Sequence, residues 1–307
     1  MTRAKVDQIY DLPELSLAVG IKQDRILEYI TAQNQAEYYQ VLNIPKRGRG
    51  RFGEYRQVYK ADKWLSQLHR SIAMIIANSV SFERHVQGFM KGRSTVSNAK
   101  LHLNKDIVVH ADIRNFFNSI TEAQVRQGLV ALGANNDIAA ILARVCTIDG
   151  YLLQGTRCSP VISNVVCRNL DLDMLGIASM TSSTYSRYGD NITFSGSTTP
   201  AIDAIRNIIE AHGFTLRGSG CYTQRRGARQ FVTGLSVVDH VKPRLPKQMK
   251  RKLRLIAYYL KKYGDNHFHF SSDSHSIAPS RAQFEGFIAY AHSVEPQFAR
   301  KLWMMLD

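Results

Sequence analysis

The sequence predicts a mixed α+β chain, and three patterns predict it. Two strand-like runs, YYQVL and YRQVY, flank a Gly/Arg-rich stretch at 44–56. A β-branched run, DIVVHADI at 106–113, and two further runs at 184–196 around Gly189-Asp190 read as more strands. Apolar residues recur at helical spacing within 61–80, 249–260 and 284–291.

Composition narrows the class. The chain has 307 residues, 44% hydrophobic and 21% charged, enough to bury a large core and too apolar for whole-chain disorder. No run approaches the ~18 consecutive apolar residues of a membrane span. The first residues, Met1 to Asp7, have no apolar stretch behind their charges, which predicts no secretory signal and a cytoplasmic protein. The cysteines, Cys146, Cys158, Cys167 and Cys221, form no CxxC pair, so neither a zinc ribbon nor a disulfide framework is expected. Forty Lys and Arg against 25 Asp and Glu leave a net charge of +15, which favours a polyanionic partner, nucleic acid rather than membrane.

In chain order, Lys46, Arg47, Arg49, Arg51 and Arg56 with Gly48, Gly50 and Gly53 make a basic turn between two strands, either a solvated loop or one that closes over phosphates. A helix follows with Leu65, Leu68 and Ile72 on one face. Gly88 to His102 reads as a loop with a helical tail starting at Ser94. The buried strand of 106–113 ends with Asp112, and Thr121 with Gln124 forms a capping box that opens a helix to about Leu132. Gly189-Asp190 is a two-residue hairpin turn of the primed type. Beyond 240, Met249, Leu253, Ile256 and Leu260 line a helix whose other faces carry Lys247, Lys250, Arg251, Lys252, Arg254, Lys261 and Lys262. A second helix after Ser280 buries Phe284, Phe287, Ile288 and Ala291. Between them His267, His269 and His275 lack a matched ligand set and read as a solvated loop.

Two carboxylates at strand ends, a basic surface and a Gly/Arg loop fit metal-dependent phosphoryl transfer, because Mg²⁺ takes one or two carboxylates plus substrate phosphates. Spacing alone leaves plainer readings open: Asp190 as a turn residue, Asp112 as a cap to the next helix.

Five segments in order resemble bacterial reverse transcriptases of the retron type. NAKLH (98–102) is similar to that family's NAxxH element, and HADIRNFFNSI (110–120) to its first carboxylate motif. LLQGTRCSPVISNVVCRNLD (152–171) resembles its Gln-Gly…Ser-Pro motif, YGDN (188–191) stands where YADD is usual, and RQFVTGL (229–235) holds its Val-Thr-Gly triplet.

The resemblance implies a right-hand fold: fingers at 1–100, palm with part of the fingers at 101–238, helical thumb at 239–307. It implies reverse transcription of part of a cognate structured non-coding RNA, primed from an RNA 2′-hydroxyl to give branched RNA–DNA (msDNA), in antiphage defence with an effector or toxin protein. Carried onto this chain, Asp112, Asp190 and the Ile113 carbonyl would hold Mg²⁺, or Mn²⁺, with Asn191 assisting. Phe117 would exclude ribonucleotides, while Arg56, Gln154 and Gly155 would place the dNTP. Asn98, His102, Thr233, Lys247, Lys250, Arg251 and Arg254 would contact RNA or cDNA.

The chain departs from the family pattern twice. Asn191 replaces an aspartate, keeping an oxygen ligand but losing a charge. The family's Lys-Lys-Thr element is replaced by Ser219-Gly220-Cys221, leaving Arg217, Arg225 or Arg226 to supply charge. These departures motivate a second reading, a catalytically impaired RNA-binding scaffold, and the resemblance to defence-associated relatives leaves a third, a template-independent DNA polymerase of a defence system.

Overall fold

The computed structural model describes residues 4–45, 55–218, 220–264 and 280–306. The basic turn from Lys46 to Gly53, Ser219, and His267, His269 and His275 lie outside the described residues.

Helices α1 (Leu12–Val19) and α2 (Gln23–Thr31) precede a hairpin of β1 (Tyr39–Pro45) and β2 (Tyr55–Ala61), paired from Tyr39 opposite Ala61 to Pro45 opposite Tyr55. The expected helix is α3 (Lys63–Ser79), with Leu65, Leu68, Ile72, Ile75 and Ile76 fully buried. Ser94 caps α4 (Thr95–Lys100), and β3 (Ile107–Asp112) follows. Thr121 and Gln124 form the expected capping box at α5 (Glu122–Val130). Next come α6 (Asn136–Cys146), the short strands β4 (Thr147–Ile148) and β5 (Tyr151–Leu152), α7 (Ser159–Val166) and α8 (Arg168–Met180). The hairpin of β6 (Thr184–Tyr188) and β7 (Asn191–Gly196) leads to α9 (Ile202–Ala211), β8 (Tyr222–Arg225), β9 (Phe231–Val232) and β10 (Leu235–Ser236). The chain closes with α10 (Lys247–Tyr263), α11 (Arg281–Val294) and α12 (Pro296–Met304).

The central sheet is antiparallel with strand order β6-β7-β3-β8, so the α+β expectation holds. Strand β3 is interior and packs on both faces, which explains apolar residues at successive positions on either side of His110. Val109, Ala111 and Ile113 join the main core with α3, α5 and α6, while Val108 points into a second core. That second core joins Val232, Leu235 and Val237 to Leu253 and Ile256 of α10, Phe284 and Ile288 of α11, and Leu302 of α12. It therefore spans residue 239 and ties the C-terminal helices to the back of the sheet.

Candidate active site

The strand register brings the two carboxylates together. Asp112 ends β3 directly opposite Asn191, the first residue of β7. The Ile113 N–H donates to the Asp190 carbonyl (3.0 Å), so Asp190 is held at the end of β3 by the backbone. Gly189 takes φ +66° while Asp190 does not, the sign pattern of a type II′ turn, for which glycine is suited at the first central position. The Asn191 amide donates to Asp190 Oδ1 (2.8 Å). Arg217 Nη1 lies 3.3 Å from Asp112 Oδ2, and the Arg217 N–H donates to the Asp112 carbonyl at 2.8 Å.

The hairpin rests on a buried ion pair that sequence reading missed. Arg187, in β6, is fully buried and grips Asp171 of α8 with two bonds, Nε to Oδ1 and Nη2 to Oδ2, each 2.7 Å. The Tyr185 hydroxyl donates to the same Asp171 Oδ1 (2.6 Å). Arg187 Nη1 reaches Asn164 of α7 (3.0 Å) and the Gly189 carbonyl (3.4 Å). Desolvation disfavours a buried guanidinium, but the paired carboxylate overrides it and raises the Arg187 pKa. One cation thus fastens the turn carrying Asp190 to two helices. The available signal was a charged residue inside the strand run TYSRY, with Asn164 and Asp171 in a motif already singled out.

A cleft of about 720 Å³ opens beside the carboxylates, lined by Arg56, Phe89, Ile113, Phe117, Gln154, Asp190 and Arg217 among others. Phe117 lies in a 3-10 turn just after β3 and packs on Phe116 (5.4 Å between centroids) and Phe89 (5.8 Å). Buried Phe116 in turn meets Phe214, so the Phe117 ring is backed by the core. The Gln154 carbonyl accepts from the Tyr59 N–H (2.9 Å), docking its loop on β2. Gly155 has φ +110°, and a Cβ there would lie 2.5 Å from Val58 Cγ1 and 2.8 Å from the Tyr59 carbonyl oxygen. It serves this close approach and lines a neighbouring cavity rather than the cleft.

The expected nucleic-acid contacts divide. Asn98 and His102 require correction, being 1% and 0% exposed, so neither can touch a polymer. His102 Nδ1 meets Ser195 Oγ and Nε2 meets Ser186 Oγ, both at 2.7 Å, while Ser186 donates to Asn98 Oδ1 (2.7 Å). Because the Ser186 proton goes to Asn98, the imidazole carries its hydrogen on Nε2 and accepts from Ser195 on Nδ1. This motif cross-links α4 to β6 and β7. The Thr233 hydroxyl likewise donates to the Thr95 carbonyl (2.8 Å). Lys250 is half-buried and tied to Glu295 (2.7 Å), and Arg254 lies over the Phe298 ring (5.1 Å). Lys247 and Arg251 are exposed and line a basic cavity with Arg229 and Arg244.

Burial pushes the His102 imidazole down to about 3. The unfolded ring, near ~6.5, takes a proton first, so its contribution is complete above ~6.5 and is lost as pH falls towards the folded value. The expected result is a loss of about 2 kcal/mol between pH ~6.5 and ~5, at ~1.4 kcal/mol per unit. Urea midpoints across this range check it, and His102→Gln flattens the slope.

Among the described residues no group of three or more His, Cys, Asp or Glu is placed to hold a metal. Two carboxylates beside an open cleft instead fit a hard divalent cation that completes its shell with substrate phosphates. No family model matches the chain. It is 27% identical to the Retron Mx65 reverse transcriptase of Myxococcus xanthus, over 94% of this chain and 69% of that protein. It is 26% identical to the Retron Mx162 reverse transcriptase of the same species, over 93% and 64%. Identity to the Retron Ec86 reverse transcriptase of Escherichia coli is 25%, over 86% and 79%. The chain is thus similar to retron-type reverse transcriptases over most of its length. That similarity supports RNA-directed DNA polymerase activity. No helix among its described residues is long and apolar enough to cross a membrane.

Proposed function

We infer that this retron-type chain copies part of a cognate structured non-coding RNA into DNA, primed from an RNA 2′-hydroxyl to give msDNA, in antiphage defence beside an effector protein in the cytoplasm. Residues 1–100 act as fingers, 101–238 as palm with part of the fingers, and 239–307 as thumb. What supports the reading most is that one cleft is lined by Arg56, Phe117, Gln154 and Asp190, which come from separate segments of the sequence.

In this reading Asp112, Asp190 and the Ile113 carbonyl hold Mg²⁺ or Mn²⁺, and Asn191 orients Asp190. The metal supplies charge stabilisation and activates the attacking hydroxyl. Arg56 and Gln154 orient the dNTP, and the Phe117 ring fills the space a ribose 2′-hydroxyl needs. Lys247 and Arg251 meet backbone phosphates, contacts that position without reading sequence.

The test is primer extension on an RNA template, with the product sequenced. Templated cDNA is expected, while a homopolymer would instead indicate template-independent synthesis. Phe117→Ala is expected to raise incorporation of ribonucleotides relative to dNTPs by about 10–100-fold, the size of a steric effect of ~1–3 kcal/mol. Unchanged discrimination would remove Phe117 from that role.

A further inference from the structure

The polymerase reading places Arg56 at the dNTP but leaves open which cation stands in for the family's absent lysine at the leaving pyrophosphate. We propose that Arg217 binds the β- and γ-phosphates of the incoming nucleotide, and holds Asp112 when the cleft is empty.

Three observations carry this, and it rests on the polymerase reading. First, Gly220, the second lysine position of that element, has no room for a side chain. A Cβ on Gly220 would lie 2.7 Å from Asp112 Cβ and 3.1 Å from Arg217 Cβ. The turn instead closes tightly, with the Gly220 N–H donating to the Arg217 carbonyl at 2.9 Å.

Second, the other two cations that follow that element, Arg225 and Arg226, lie at the wrong end of the sheet. Arg226 pairs with Asp106 (2.9 Å) and Asn104 (2.8 Å), and Arg225 stands opposite Ile107. Ile107 begins β3 and Asp112 ends it, a separation of about 17 Å at ~3.3 Å per residue.

Third, Arg217 is anchored by its backbone and loosely held by its side chain. Its N–H and carbonyl are both bonded, as given above. Its guanidinium meets Asp112 through a single contact of 3.3 Å and keeps 37% side-chain exposure on the cleft wall. The structural pair Arg187–Asp171 has two bonds of 2.7 Å. Charge-assisted bonds are normally about 2.7–2.9 Å, and a guanidinium offers a fork suited to phosphate.

The chemistry balances without a proton from Arg217. The primer hydroxyl loses its proton to solvent, its oxygen forms the new bond to the α-phosphorus, and the α–β P–O bond breaks with its electron pair leaving on pyrophosphate. Arg217 stays charged throughout and offsets the charge gathering on that group.

The test compares wild type, Arg217→Met and Arg217→Lys at full length. The readouts are anisotropy of a fluorescent dNTP with Ca²⁺, Mn²⁺ binding by electron paramagnetic resonance without nucleotide, and kcat and KM. Arg217→Met is expected to weaken dNTP binding by about 10-fold or more, the scale of a charge-assisted hydrogen bond. It is expected to bind Mn²⁺ several-fold more tightly, because a competing cation has left Asp112. Arg217→Lys, which keeps the charge, is expected to recover most of the dNTP affinity. Wild-type dNTP affinity in Arg217→Met, or weakened Mn²⁺ binding, would overturn the proposal and leave Arg217 as a support for Asp112. If wild type itself neither binds dNTP nor makes DNA, the polymerase reading fails and takes this inference with it.

Discussion

Asp190→Asn, like Asp112→Asn, is expected to lower DNA synthesis by about 10³-fold or more while leaving the fold intact. A carboxylate that holds a catalytic metal contributes several kcal/mol of transition-state stabilisation, and each ~1.4 kcal/mol is tenfold in rate. The amide has nearly the same shape, and Asp190 is held in place chiefly through its backbone carbonyl. Stability should therefore change by no more than about 0.5–1 kcal/mol. Thermal unfolding measured beside primer extension separates the two effects. Continued synthesis by the double Asn variant would remove both residues from the chemistry.

Arg187→Met is expected to have the largest effect on stability, a loss of about 3–5 kcal/mol, because it leaves Asp171 buried without its counter-charge. Asp171→Asn breaks the same pair from the other side and should cost a similar amount. The double replacement of both partners by apolar residues of similar size is expected to recover much of the stability. It should not recover activity, since Arg187 also binds the Gly189 carbonyl beneath Asp190. Denaturant unfolding with single-turnover extension would show this split. Full activity in a stable double variant would mean that the hairpin holds its shape without the ion pair.

The sequence made the scaffold of the site legible where local patterns are strong. The β-branched run of β3, the Gly-Asp turn, the Thr121–Gln124 capping box and the helix starts at Ser94 and Ser280 all reflect local physical chemistry. The family resemblance pointed to Arg56, Phe117, Gln154 and Asp190, which line the cleft, and strand register put Asp112 beside Asn191. What failed was burial of polar groups. Asn98 and His102 look like surface ligands because composition cannot show Ser186 and Ser195 waiting on the sheet. Lys250 sits on a basic helix face, but Glu295, at the start of α12, lies across from it. The choice among Arg217, Arg225 and Arg226 likewise depended on which end of β3 each one meets, a tertiary fact.

In the proposed reading this site copies RNA into DNA despite Asn191. Sequencing of nucleic acid that copurifies with wild type and with Asp190→Asn tests this. A discrete RNA joined to complementary DNA is expected in the wild type, and the RNA alone in the variant. RNA without DNA in both samples would contradict it and leave an RNA-binding scaffold.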